Sequence, residues 1–314
     1  MMKLPIIIDT DPGIDDVVAI TAALFSEQLD VQLITTVGGN VGIENTTRNA
    51  LNLVHFLGKD TPVARGANEP LMTQLVTAAE VHGESGVGTY QFPEQADESL
   101  LVKEHAVLAL RNKILQSSEP VTLVPIGPLT NIGLLLKMYP ETKENIKEIV
   151  LMGGAVEGGN ATSVAEFNIF VDPHAAKIVF DSNINIVMCG LDITRITTIT
   201  DENIKIVEEY GKVGKMVSEM LSTYGDSSST TKLSSIHDLC TIFYLTRPEL
   251  FTVVKRAKVD VVTEGPAFGC TVAEYREDGN VQVCLDADVE AFRLEFITTF
   301  KKIFDELEVL QYVD

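Results

Sequence analysis

The sequence predicts an α/β fold: an open, mostly parallel (mixed) central sheet flanked by helices, Rossmann-like, with a small antiparallel appendage toward the C-terminus. Three observations predict it. Short β-branched runs recur along the chain and are apolar nearly throughout, as strands buried on both faces must be. Segments of helical period lie between them, and strand alternating with helix is the signature of a parallel sheet. With 314 residues, no internal repeat and no linker rich in Pro or Gly, the chain can bury one core and is expected to form a single domain over 1–314.

The elements follow in order. "LPIII" (4–8) is the first strand and "VQLITTV" (31–37) the second. "ENTTRNALNLVHFL" (44–57) is a helix, after which "VTLVPI" (121–126), "IKEIVLM" (146–152) and "INIVMCGL" (184–191) continue the sheet. "DPHAAKIVF" (172–180) reads as a helix because Asp-Pro supplies an N-cap and a first-turn proline. "KVDVV" (258–262) belongs to a strand-rich stretch from about 255 to 286, the expected antiparallel appendage, and "DVEAFRLEFITTFKKIFDEL" (288–307) is a closing helix. The small, polar "GDSSSTTKLSS" (225–235) fits a mobile loop or lid.

The formal charge of −21 argues against a nucleic-acid partner, which needs a basic patch, and makes cations the natural guests. Cys189, Cys240, Cys270 and Cys284 lack CxxC spacing and sit in apolar segments, so they read as reduced packing residues rather than a disulfide or zinc framework. The N-terminal apolar stretch meets Asp9 too early for a signal peptide, and no run approaches transmembrane length. A cytoplasmic protein without a membrane partner is expected.

Ligands of open α/β sheets sit beyond the carboxyl ends of strands. That rule collects Asp9, Asp11, Asp15 and Asp16 after the first strand, Asn40 after the second, "IGPLTN" after the third and "MGG" after the fourth. Carboxylates so close repel and raise one another's pKa unless a cation lies among them. Helix capping would explain one or two, but not four beside buried segments. All-oxygen ligands favour calcium or magnesium, and several carboxylates plus a carbonyl favour calcium. An EF-hand does not fit, because Ile20 stands where its last ligand, a Glu, is required.

Three further stretches draw notice. "HGESGVGT" (82–89) sets a histidine in a Gly-rich loop. "GGNATSVAEFNIFVDPHAA" (158–176) gathers Asn160, Glu166 and Asn168, side chains that can pair with sugar hydroxyls but that also form turns. "SSIHDLCTIFYL" (234–245) opens an apolar helix with His237 and Asp238, where Asp is also a natural N-cap. His55, His105 and His174 fall in helical patterns and read as structural.

Together these stretches resemble the nucleoside hydrolase family, the inosine-uridine preferring nucleoside N-ribohydrolases, over nearly the whole chain. "DTDPGIDD", "HGESGVGT", "GNATSVAEFNI" and the "HD" of 237–238 match its patterns in order and spacing. "LPIIIDTDPGIDDVVAI", "TTRNAL", "VMCGLDIT" and "HDLC" are most similar to the bacterial non-specific ribonucleoside hydrolases. The resemblance implies calcium-dependent hydrolysis of purine and pyrimidine ribonucleosides to ribose and free base, in salvage or catabolism, by a homodimer or homotetramer. It implies Ca2+ held by Asp11, Asp16, Asp238 and the carbonyl of Ile126. Asp15, Asn40 and Asp238 would meet the 2′- and 3′-hydroxyls of ribose, and Asn160, Glu166 and Asn168 the 5′ side, with Met152 and Phe167 also in the substrate site. His82 and His237 would lie near the base.

Bond cleavage through an oxocarbenium-like transition state puts positive charge on the ribose, which a carboxylate-rich pocket stabilises. Asp11 is the expected general base for attacking water, and His237 the expected leaving-group acid with His82 as helper. Base preference is expected to depend on residues around 76–84 and 222–236, with Tyr224 and Lys232 as candidate contacts. Asn and Glu rather than Arg or Lys on the 5′ side make nucleotides poor substrates. "DTD" after a strand also resembles haloacid-dehalogenase-type phosphatases, but their "DxDGT" continuation is replaced here by "DTDPGIDD". A non-catalytic calcium- or sugar-binding module is the other alternative, and it would need no acid beside a leaving group.

Overall fold

The computed structural model describes residues 2–96, 98–224 and 233–311. Its strands are β1 (Leu4–Thr10), β2 (Leu29–Thr36), β3 (Val63–Arg65), β4 (Leu101–Val102), β5 (Val121–Pro125), β6 (Ile146–Met152), β7 (Ile186–Cys189), β8 (Thr198–Thr200), β9 (Leu233–Ser235), β10 (Val253–Val261), β11 (Thr271–Tyr275) and β12 (Val281–Asp286). Ten of them form one sheet in the order β11-β10-β12-β7-β6-β5-β1-β2-β3-β4. From β12 to β4 every neighbouring pair is parallel. The expected antiparallel region is β10, which runs opposite to both β11 and β12, and it continues the main sheet because β12 pairs in parallel with β7. β3 and β4 are too short to leave a periodic signal in the sequence.

The triple isoleucine of β1 shows why the central strands are apolar throughout. Ile6 and Ile8 enter one core layer and Ile7 the other, because successive side chains point to opposite faces and helices cover both. The helix Ile14–Leu24 follows β1 directly, and all but one of its eleven residues are buried. Its apolar surface therefore runs nearly all round, as a helix enclosed by neighbours requires. The Asp-Pro signal holds: Asp172 caps Pro173–Phe180 by accepting from the Ala175 amide at 2.9 Å.

One local feature aims the chain at the carboxyl end of the sheet. The short pair β8–β9 is antiparallel and delivers residues 236–238 to the rim, just ahead of the helix Leu239–Thr246. The loop expected at 225–235 falls mostly outside the described residues, as does Lys232, and its last three residues form β9. Among the described residues no helix is long and apolar enough to cross a membrane.

Candidate active site

Beyond the carboxyl ends of β1, β2, β5 and β6 lies a cavity of about 290 Å³. Asp15, Asp16, Asn40, His82, Ile126, Met152, Asn160, Glu166, Phe167, Asn168, His237 and Asp238 all line it. They come from segments as far apart as residues 15 and 238, which the sheet order brings together. Among the described residues Asp11 is the one expected site residue not in the wall; it is fully buried.

The acidic cluster is built by the turn after β1. Asp16 accepts from the Gly13 amide at 2.9 Å, closing the N-terminus of the Ile14–Leu24 helix, and also from the Thr10 hydroxyl and from Asn40 Nδ2. The positive end of that helix lies under the cluster. Asp15, Asp16 and Asp238 each bring a carboxylate oxygen within 4.8 Å of the others, a spacing that suits a shared metal ion. Asp238 sits at the N-cap position of its helix but makes no side-chain capping bond, so its carboxyl is left for the cluster. Asp11 Oδ2 accepts from the Asn40 amide at 2.7 Å, whereas its buried Oδ1 has no protein partner. A Cβ on Gly39 would overlap Asp11 Oδ2, and one on Gly127 would stand 2.5 Å from Oδ1, so glycine is required on both sides of this carboxyl.

Burial dominates the electrostatics. It pushes Asp15 and Asp16 up to about 6, with repulsion from Asp15 adding at Asp16. Burial raises Asp11 and Asp238 well above the carboxylate range, and their carboxylate neighbours raise them further. The same cause pushes Glu166 up to about 7, against the backbone amides of Asn168, Gly154 and Ile169 that it accepts. Among the described residues no Lys or Arg lines the cavity to offset these charges.

The opposite wall is set by the turn after β6. Gly154 adopts φ +76°, a conformation that disfavours side chains, and turns its amide onto Glu166 Oε2 at 2.8 Å. Asn168 Nδ2 donates to the carbonyls of Ile126 (2.9 Å) and Met152 (3.1 Å), locking the ends of β5 and β6 together. Asn160 Oδ1 accepts from the Phe167 amide at 2.8 Å.

His82 ends the short helix Ala79–His82, and its Nδ1 accepts from the Ile14 amide at 3.2 Å, which puts the proton of the neutral ring on Nε2. Tyr224 packs against it with ring centroids 5.4 Å apart and hydrogen-bonds Asp15. His237 Nδ1 pairs with the Thr194 hydroxyl at 2.7 Å. A free histidine titrates near neutrality, but burial lowers His82 and His237 each to about 4, so each ring is neutral at pH 7.

A profile of the inosine-uridine preferring nucleoside hydrolases matches residues 6–294. The chain belongs to the nucleoside hydrolase family. This nucleoside hydrolase is 50% identical over 297 residues to the non-specific ribonucleoside hydrolase RihC of Escherichia coli O1:K1, covering 93% of this chain and 96% of that one. It is 48% identical over the same length to RihC of Klebsiella pneumoniae. The purine-preferring ribonucleoside hydrolase of Gardnerella vaginalis superposes with a TM-score of 0.87 at 31% identity, covering 96% of this chain and 99% of that one. The plant nucleoside hydrolase PpNRh1 gives 0.87 at 30% identity, with the same coverage. The chain is thus an enzyme that hydrolyses the N-glycosidic bond of ribonucleosides.

Sequence reasoning missed several residues around this nucleoside hydrolase site. Phe170 and Ala161 line the cavity, and Phe170 could have been found from its i,i+3 spacing to Phe167 on one short helix. Asp192, Thr194 and Arg195 lie behind the walls; the first two fall in "VMCGLDIT", but nothing in that stretch marks a role at the site.

Proposed function

We propose that this enzyme hydrolyses both purine and pyrimidine ribonucleosides with a calcium ion bound by Asp11, Asp16, Asp238 and the Ile126 carbonyl. The observation that carries the metal is the pairing of clustered carboxylate oxygens with the unpartnered, buried Oδ1 of Asp11. Every donor is a hard oxygen, which suits calcium or magnesium over softer metals, and the carbonyl with several carboxylates favours calcium. The breadth of substrate rests on the similarity to the two non-specific relatives.

A bound calcium ion supplies fixed positive charge that lets the carboxylates ionise together and acidifies a water beside it. Asp11 takes a proton from the attacking water. Asp15, Asn40 and Asp238 bind the ribose diol, and Asn160, Glu166 and Asn168 hold the 5′ side with Met152 and Phe167. As C1′–N cleavage places positive charge on the ribose, the ionised carboxylates stabilise it. His237, helped by His82, protonates the departing base. Negative charge growing on that base favours the imidazolium and offsets the effect of burial. Direct attack by water gives inversion at C1′.

The same reading takes the enzyme as a cytoplasmic homodimer or homotetramer in nucleoside salvage or catabolism, without a nucleic-acid or membrane partner. Its test is release of free ribose from inosine, uridine, cytidine and adenosine by wild type and Asp11→Ala, with and without a chelator. Turnover without phosphate, abolished by the substitution and by chelation, is expected. Bound nucleoside with no ribose released refutes the catalytic reading.

A further inference from the structure

The turn after β7 reaches both walls of the cavity although none of its residues lines it. Thr194, fully buried, meets His237 Nδ1 at 2.7 Å. Asp192 accepts two successive backbone amides of the loop after β6, Val156 at 2.8 Å and Glu157 at 3.0 Å. Arg195 donates to the Gly159 carbonyl of that loop at 2.6 Å, one residue before Asn160. The Leu191 amide ties the turn itself to the Gly154 carbonyl at 2.9 Å. One five-residue stretch thus grips the backbone that carries Asn160 and the ring nitrogen that His237 turns away from the base.

We infer that residues 191–195 form a positioning element for the reaction: Thr194 sets His237 on the leaving-group side, and Asp192 with Arg195 sets the Asn160 loop on the ribose side. With Nδ1 engaged by Thr194, Nε2 is the ring nitrogen left to meet the departing base. Loss of the hydroxyl frees the ring to rotate, and a misplaced acid is a poor one. The two-amide grip of Asp192 needs both carboxylate oxygens as acceptors, and an amide in its place would turn a donor toward a donor. The inference rests on the proposed roles of His237 and Asn160.

The test uses leaving groups and sugars that differ at one point. Thr194→Val is expected to lower kcat on inosine and uridine by on the order of 10- to 100-fold. On a nitrophenyl riboside, whose nitrophenolate leaving group departs without a proton, the loss should stay within about threefold. Thr194→Ser, which keeps the hydroxyl, should restore nucleoside turnover. Asp192→Asn should raise KM for inosine by on the order of 10-fold but leave KM for 5′-deoxyinosine, which lacks the hydroxyl, nearly unchanged. Equal losses on nucleoside and nitrophenyl riboside, failure of Ser to rescue, or no change at all overturns the role of Thr194. Equal rises in KM for both sugars overturn that of Asp192. Absence of ribose release by wild type would instead sink the catalytic reading on which both rest.

Discussion

Removing divalent cations should make the stability of this enzyme fall as pH rises, the reverse of ordinary acid denaturation. Asp15 and Asp16 each titrate at about 6 in the fold against 3.8 for a free side chain. Between those values the two carboxyls hold more protons in the folded chain than in the unfolded one. The buried His82 and His237, lowered to about 4, pull the other way, but Asp9 and Glu166 at about 7 and the raised Asp11 and Asp238 outweigh them, so the slope of unfolding free energy with pH is negative. A shift of about two units is worth roughly 3 kcal/mol for one such group. Because the two carboxyls share their repulsion, one group's worth is the safer figure. For 314 residues an unfolding entropy of about 2 cal/mol/K per residue converts 3 kcal/mol to a fall of about 5 °C in Tm. The assay is thermal unfolding from pH 4.5 to 7.5 in chelator, with and without excess calcium. With the ion bound, ionised carboxylates are favoured, and the gain in Tm from calcium should grow with pH. A chelated Tm that is flat or climbs across this range, or that calcium leaves unchanged at pH 7.5, refutes the reasoning. Asp16→Asn supplies the control, since it should flatten the slope in chelator.

Three further outcomes are expected. Gly39→Ala drives a Cβ into Asp11 Oδ2 and should cost about 1–3 kcal/mol in denaturant unfolding together with most of the turnover. Inosine 5′-monophosphate would bring a phosphate to a wall that holds Glu166 and, among the described residues, no Lys or Arg; its kcat/KM should fall at least about 100-fold below that of inosine, and comparable rates would contradict the assignment of the 5′ side. Asp172→Ala strips acceptors from the Ala175 and Leu71 amides and the Thr130 hydroxyl, so urea unfolding should show a loss of roughly 2–3 kcal/mol.

Much of this protein is legible from order along the chain. The apolar strand runs are readable because a parallel strand covered on both faces has no polar position, as Ile6, Ile7 and Ile8 show by filling both core layers. The Asp172 cap and the crowding of Asp11, Asp15 and Asp16 in one turn are local too, since a turn between strand and helix leaves those side chains little else to face. The joining of these with Asn40, Glu166, Asn168, His237 and Asp238 follows in outline from the rule for strand ends.

What tertiary structure alone decided lies in contacts between segments with no local rule to announce them. Burial is one such property: it makes His82 and His237 neutral imidazoles where a free histidine would titrate near pH 7, because desolvation depends on everything packed around the ring. Depth is another, for Asp11 proves to lie beneath the cavity while Asp15, four residues on, lines it. The grip of Asp192, Thr194 and Arg195 is a third. Their partners stand 35 to 43 residues away, and a hydrogen bond between distant segments leaves no periodicity, cap or spacing in the sequence, only in the fold that closes it.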